Sequence, residues 1–286
     1  MSQEAGQALL AIIPDIKQDL PYSPDLLGKL FGQTSGGSHS SLSEISETIS
    51  RDQGLTARIL SMANSAFYGL QAEVGSVDRA VAMLGLQDVR TMVLGLGISS
   101  LTARLKKSEL IDLEQYWRHQ LLTACCARSV AQSIGLSPEN MFTCGLLHDL
   151  GYLITAIYMP DDFRIATEIR FAESLPTAQA EMRHFGLDHG VIGAMVLSSW
   201  DLPPQITEPI NWHHSPEAAP EFAEEAACLN LAESLSRRFE NPDYITGRKW
   251  RDFVERYELD EEELIGMLRE LSEDEGTKQL LRALRV

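Results

Sequence analysis

Between Pro24 and Pro138 the chain contains no proline. Proline breaks helices because its ring fixes φ, removes an N–H and collides with the carbonyl one turn earlier. Over that stretch, helices are interrupted only at glycine. Apolar residues recur there at helical spacing, and alternating runs of Val, Ile or Thr are scarce. The whole chain therefore reads as all-α.

Individual signals agree. Ser41-Leu42-Ser43-Glu44 is a capping box ahead of Ile45 and Ile49. Ser76 caps a helix with the stripe Val77, Ala80, Val81 and Leu84, which Gly85 stops. Asp112 opens a long helix to Ile134, with the stripe Leu113, Trp117, Leu121, Ala124 and Ala131, closed by Gly135. Ser137-Pro138-Glu139 supplies an N-cap, a proline at the first helical position and an early acid. Asp188 opens a helix through Val191, Met195 and Ser199, and Pro203 opens another toward His213. Residues 32–41, rich in Gly and Ser, read as a flexible loop. Residues 215–286 carry 18 acids and 10 bases, with Leu264, Met267, Leu268 and Leu271 at helical spacing. That tail reads as solvated amphipathic helices at a domain edge.

Charge narrows the function. With 24 basic and 41 acidic residues, the net charge is −17. Nucleic-acid binding needs Lys and Arg to displace phosphate counterions, and docking on anionic lipid needs the same sign, so neither is expected. The longest apolar runs, such as Met92 to Ile98, fall far short of the roughly 20 residues that cross a bilayer. The opening Met1-Ser2-Gln3-Glu4 has no basic region, so no signal peptide is expected. Four cysteines, two of them adjacent (Cys125, Cys126), fit a reducing cytoplasm better than a disulfide framework.

The informative residues are histidines and carboxylates. His148-Asp149 lies in Thr143-Cys144-Gly145-Leu146-Leu147-His148-Asp149-Leu150-Gly151. Adjacent His and Asp can reach one cation; imidazole suits Zn, Fe, Mn or Ni, and carboxylate adds charge and can bridge two ions. A charged Asp in so apolar a segment requires a cation, a helix N-terminus or several donors nearby. His119, His189, His213, His214 and Glu233 lie on separate expected helices and meet only if those helices form one bundle. Taken singly, such histidines are more often hydrogen-bonded structural residues than ligands. His39 reads as solvated, His184 as a surface partner of Asp188 at i,i+4, Cys144 as a small buried residue, and the methionines as core filler.

Together these residues resemble a known family. Gly-Leu-Leu-His148-Asp149-Leu-Gly and the spread histidines are similar to the HD superfamily of metal-dependent phosphohydrolases, and the N-terminal blocks narrow the resemblance to its HDOD group. Those blocks are Ile49 to Leu60, Ala63 to Gly69 and Ser76 to Gly85; Trp117-Arg118-His119, Gly186 to Ala194, Trp200 to Pro203 and His213-His214 match later ones. The resemblance implies a multi-helix bundle of HD type with an N-terminal helical subdomain. The implied boundaries are a lead-in at 1–19, the HDOD domain at 20–235 with its HD-like part from about 111, and acidic helices at 236–286 packed on it. It implies metal ligands His119, His148, Asp149, His189, His213, His214 and Glu233, one or two divalent ions (Fe, Mn, Zn or Ni), and Asp149 as the catalytic candidate.

Two functions follow from the resemblance. One is a bacterial regulatory module acting through signalling partners such as a receiver or cyclase domain. The other is a metal-dependent phosphohydrolase or phosphodiesterase acting on a small phosphoester or cyclic nucleotide. The chain departs from the catalytic pattern at three places. Glu233 stands where Asp is usual, Tyr152 stands where cyclic-dinucleotide hydrolases carry Lys, and no Gly-Tyr-Pro follows His189.

Overall fold

The computed structural model describes residues 2–20, 46–47, 49–50, 52–70, 73–105, 110–241 and 249–284, and among these there is no strand. The chain is all-α. In order the helices are α1 (Ser2–Ile16), α2 (Gln53–Ala63), α3 (Val77–Leu84), α4 (Leu86–Leu101), α5 (Leu113–Ile134), α6 (Pro138–Leu147), α7 (Leu150–Tyr158) and α8 (Pro160–Glu173). They continue with α9 (Thr177–Phe185), α10 (His189–Ser199), α11 (Pro204–Trp212), α12 (Ala223–Glu240), α13 (Lys249–Arg256), α14 (Glu261–Glu273) and α15 (Glu275–Leu284).

The expected caps form. Ser76 Oγ accepts from the Arg79 N–H, the Asp112 carboxylate from Glu114 and Gln115, Ser137 Oγ from Asn140 and the Asp188 carboxylate from Val191. Each satisfies a donor that the first helical turn leaves orphaned. Gly135 ends α5 in the left-handed region, at φ 80°, where a Cβ is unfavourable. The capping box at Ser41 to Glu44, the 32–41 loop and His39 lie outside the described residues.

Helix α5 is the central post, packed against α6, α12 and α14. Its Trp117, Leu121, Ala124 and Ala131 are fully buried, while Leu113 is half-buried at its solvent end. On the other side α10 packs on α7 and α11, and α15 packs on α2, α4 and α5. The methionines correct a sequence expectation. Met62, Met92 and Met141 fill the core, but Met83, Met182 and Met195 are exposed. On α10 the buried side is Gly190, Ile192, Gly193, Val196 and Leu197, so Val191, Met195 and Ser199 form the outward row. A nearly all-apolar helix carries little periodicity to tell its two sides apart.

The segment Pro138–Tyr158 is, by length and composition, apolar enough to cross a bilayer, yet 83% of its most apolar window is buried inside the fold. It is also broken at His148-Asp149, between α6 and α7. Two glycines set how closely this segment meets its neighbours. A Cβ on Gly145 would stand 2.5 Å from Ala124 Cα, and one on Gly151 would run into the His189 carbonyl and stand 2.8 Å from Gly193 N. Gly151→Ala should therefore destabilise the fold by about 1–3 kcal/mol or more through forced separation of α7 and α10. Gly266→Ala, in a helix interior with open space around it, should be neutral or stabilising by up to about 1 kcal/mol. Urea unfolding of the two variants measures the contrast.

Candidate metal centre

Five elements deliver the candidate side chains. His119 comes from α5, His148 and Asp149 from the break between α6 and α7, and His189 from the first position of α10. His213 and His214 follow the end of α11, and Glu233 comes from α12. All seven predicted residues converge, buried except for half-buried His214. His148 Nε2 lies 3.3 Å from Asp149 Oδ2, His189 Nε2 3.2 Å from Asp149 Oδ1 and His119 Nε2 3.8 Å from Asp149 Oδ2. His213 Nε2 is 3.7 Å from Glu233 Oε2. Three overlapping groups have metal-ligand spacing: His189, His213 and His214; His119, His148 and Glu233; and Asp149, His213 and Glu233.

The hydrogen bonds fix which nitrogen of each ring points inward. His148 Nδ1 donates to the Gly145 carbonyl at 2.8 Å and His213 Nδ1 to the Ile210 carbonyl at 2.6 Å. His189 Nδ1 donates to Glu181 Oε2 at 2.6 Å, and His119 Nδ1 to Glu240 Oε2 at 3.0 Å. A carbonyl or carboxylate oxygen only accepts, so each Nδ1 carries the proton and each Nε2 faces the cluster. The Nε2 atoms of His119, His148 and His213, and Asp149 Oδ1, are buried with no hydrogen-bond partner. Buried polar atoms are rarely left unmet. Inward Nε2 atoms backed by carbonyls and carboxylates are the arrangement of ligating histidines.

Electrostatics give the same picture. Burial works against ionisation of Asp149, but His148 and His189 outweigh it and hold its carboxyl well below the usual range. Glu233 is likewise held low against burial, by Arg237 and then by His214 and His213. His189 is raised well above its ordinary value, because Glu181 and Asp149 overcome burial, and Asp149 raises His148 in the same way. Burial lowers His213 to about 4 and, with His213 as neighbour, takes His214 well below its ordinary value. Two buried carboxylates thus require positive charge, which protons on His148 and His189 supply here and which a cation can equally supply. The donor set fits a divalent transition metal: imidazole nitrogen and carboxylate oxygen, with no thiol. Cys144 is buried elsewhere, its Sγ near the Gln205 and Ile206 carbonyls.

Several neighbours escaped sequence reasoning. Glu181, buried, accepts from both the ring and the backbone N–H of His189. Gln120 donates to Asp149 Oδ2 at 3.2 Å, and Arg237 Nε donates to Glu233 Oε1 at 2.7 Å. Two of these had a local signal: Gln120 adjoins His119, and Arg237 lies at i+4 from Glu233. The extra methylene of Glu233 is accommodated, with Oε1 turned to Arg237 and Oε2 to His213. The His184 expectation is corrected. His184 Nε2 pairs with Asp162 Oδ1 on α8 at 2.8 Å, because the Asp188 carboxylate is spent capping α10. A cavity of about 290 Å³ opens over His119, Asp149 and His189. Tyr152 lines it, its ring edge-on to Phe163, and Arg170 and Arg237 line the same walls.

The HDOD domain family profile matches residues 20–216. An uncharacterised Treponema pallidum (strain Nichols) protein is 27% identical over 215 residues, 74% of this chain and 41% of that one; the chain thus spans less than half the length of this curated relative. A crystal structure from Shewanella amazonensis, provisionally named a phosphohydrolase, is 26% identical with TM-score 0.72, covering 97% of this chain and 98% of that one. A Marinobacter aquaeolei structure, provisionally named a signal transduction protein, has TM-score 0.73 at 18% identity, covering 99% of this chain and 66% of that one.

The shifted groups set a pH profile for the metal-free protein. Unfolded His213 and His214 take protons near pH 6.5 while the folded rings resist, so stability falls as pH drops below about 6.5. The carboxylates contribute at neutral pH and lose that contribution as pH falls through their depressed values. His148 and His189 contribute fully below about 6.5, and less as pH rises through their raised values. Urea unfolding in chelator at pH 7, 5.5 and 4.5 should show a monotonic loss.

Proposed function

The chain belongs to the HDOD domain family, and from that premise we propose that it is a bacterial regulatory, signal-transducing module built around a divalent transition-metal site. The observation that carries the reading is the convergence of unpartnered Nε2 atoms on two buried carboxylates. His119, His148, His189 and His213 would hold the ion through Nε2, with His214 at the edge and Asp149 and Glu233 supplying charge. The nitrogen and oxygen donors suit Fe, Mn, Zn or Ni. The ligand groups share His213 and Glu233, which suits either one ion or two. When bound, such an ion supplies Lewis acidity and acidifies water; by linkage it also stabilises the fold that signals.

The module reading is supported by length. The same fold corresponds to 66% of the Marinobacter chain, and the match to the Treponema protein spans 41% of it. A receiver or cyclase domain is the proposed partner, in the cytoplasm, which four buried free cysteines support. Deleting this domain from its host should abolish the pathway output, and unchanged output sinks the proposal.

One observation favours a second reading, hydrolysis of a small phosphoester: the cavity gives Asp149, His119 and His189 a path to solvent. There Asp149 would orient the reacting groups, and the acidic chain would disfavour polyanionic substrates. A phosphatase and phosphodiesterase panel on metal-loaded protein decides it; no turnover on any substrate removes it.

Elemental analysis should find transition metal at one or two equivalents, and His148→Ala should remove it and lower the melting temperature. Affinity should rise as pH rises above about 6.5, because metal must displace the protons that the raised His148 and His189 hold. Glu181→Gln should weaken metal binding by about 10–100-fold without loss of helix content, since it removes the charge behind His189. Metal titration with circular dichroism measures both.

A further inference from the structure

The two guanidinium groups at the cavity differ in their commitments. Arg237 is engaged, with Nε 2.7 Å from Glu233 and Nη2 3.5 Å from Asp149. Arg170 of α8 reaches the same cavity beside Tyr152 and Thr177, yet it meets no carboxylate among the described residues. Its Cζ lies 5.4 Å from the centroid of the Phe171 ring. Other charged residues of the same helix are paired. Arg164 on the same helix pairs with Asp161 at 2.5 Å, and Glu173 pairs with Arg183. In a chain of net charge −17, Arg170 forms no ion pair among the described residues. The buried acid on its side, Glu181, lines the smaller adjoining pocket with it while turning Oε2 to His189. At the cavity wall Arg170 is a positive charge beside the cavity's contents.

We propose that Arg170 is the recognition residue for a small phosphate-bearing anion, seated in this cavity against the metal-loaded cluster. The inference rests on the metal reading above. Three acidic residues, Asp112, Asp149 and Glu240, line the cavity against two arginines, and a divalent ion reverses that balance in favour of an anion. Asp112 is already turned to its helix cap and Glu240 to His119, so neither closes on Arg170. The planar guanidinium fork matches two oxygens of a phosphate at once. Burial pushes the Tyr152 hydroxyl up to about 12, so it stays a neutral donor on the same wall. At about 290 Å³ the cavity lies at the small end of ligand pockets. A phosphate group carrying a small substituent fits that volume; a nucleic-acid strand does not.

The test is calorimetric titration of inorganic phosphate into the full chain loaded with Mn²⁺, with metal content measured on the same samples. Arg170→Ala should keep the metal and weaken phosphate binding by about tenfold or more. Arg170→Lys should recover part of the loss, and Arg164→Ala should bind as the wild type does. Arg170 is half-buried at a cavity wall, and equal melting temperatures confirm that its variants fold. Equal phosphate affinity with and without Arg170, or no phosphate binding by the metal-loaded protein, overturns the proposal and leaves the metal reading standing. Acetate binding more tightly than phosphate overturns the ligand class. If the wild type takes up no metal, the metal reading falls. This inference, which seats the anion against that ion, then falls with it.

Discussion

Two carboxylates, Asp149 and Glu233, are buried within a few ångströms of several imidazoles, and the rest of the centre follows from the cost of that burial. An isolated buried carboxylate is costly unless neutralised and hydrogen-bonded. Here compensation comes in layers. Imidazoles stand closest, Arg237 joins the two acids, and Gln120 donates to Asp149. A second pair of carboxylates, Glu181 and Glu240, sits behind His189 and His119. The alternation of acid, imidazole and acid polarises the rings inward, and it explains why protons and a divalent ion compete for one space.

The scaffold meets this requirement mainly with helix ends, joined by two side chains from helix interiors, His119 of α5 and Glu233 of α12. His148-Asp149 occupies the break between α6 and α7, His189 the start of α10, and His213 the turn after α11. Side chains at such positions escape the helical ladder, and the local carbonyls of Gly145 and Ile210 are free to take the Nδ1 protons. Close approach is needed as well. Gly145 lies against Ala124, and Gly151 against His189 and Gly193, so the residues that complete the histidine motif in sequence also permit its assembly in space. The open cavity then exposes only part of the cluster, with Arg170 at its wall.

Much of this was legible residue by residue. The caps at Ser76, Asp112, Ser137 and Asp188 were readable because a side-chain oxygen ahead of an apolar stripe satisfies a local donor, which requires no knowledge of the tertiary fold. The seven converging residues were legible as a set through the order of their motifs. Glu181, Glu240 and Arg170 were not, because each acts across helices and nothing in its own neighbourhood sets it apart from a solvated surface charge. His184 failed for the related reason that its partner is decided by competition. Asp188 had a better use as a helix cap, and Asp162 came within reach only once α8 packed on α9. Met195 failed because a uniformly apolar helix does not mark its outer side.

By itself the sequence determined the helical class, the places where helices begin and end, and the chemical inventory of imidazoles and acids. Those depend on backbone propensity, capping and residue identity, all of which act within a few positions along the chain. Only the tertiary structure decided which nitrogen of each ring faces inward, which carboxylates stand behind the rings, and which arginine lines the cavity with no ion pair among the described residues. Those depend on distances between residues far apart along the chain, such as the 121 positions separating His119 from Glu240, and they come into being only when the helices pack.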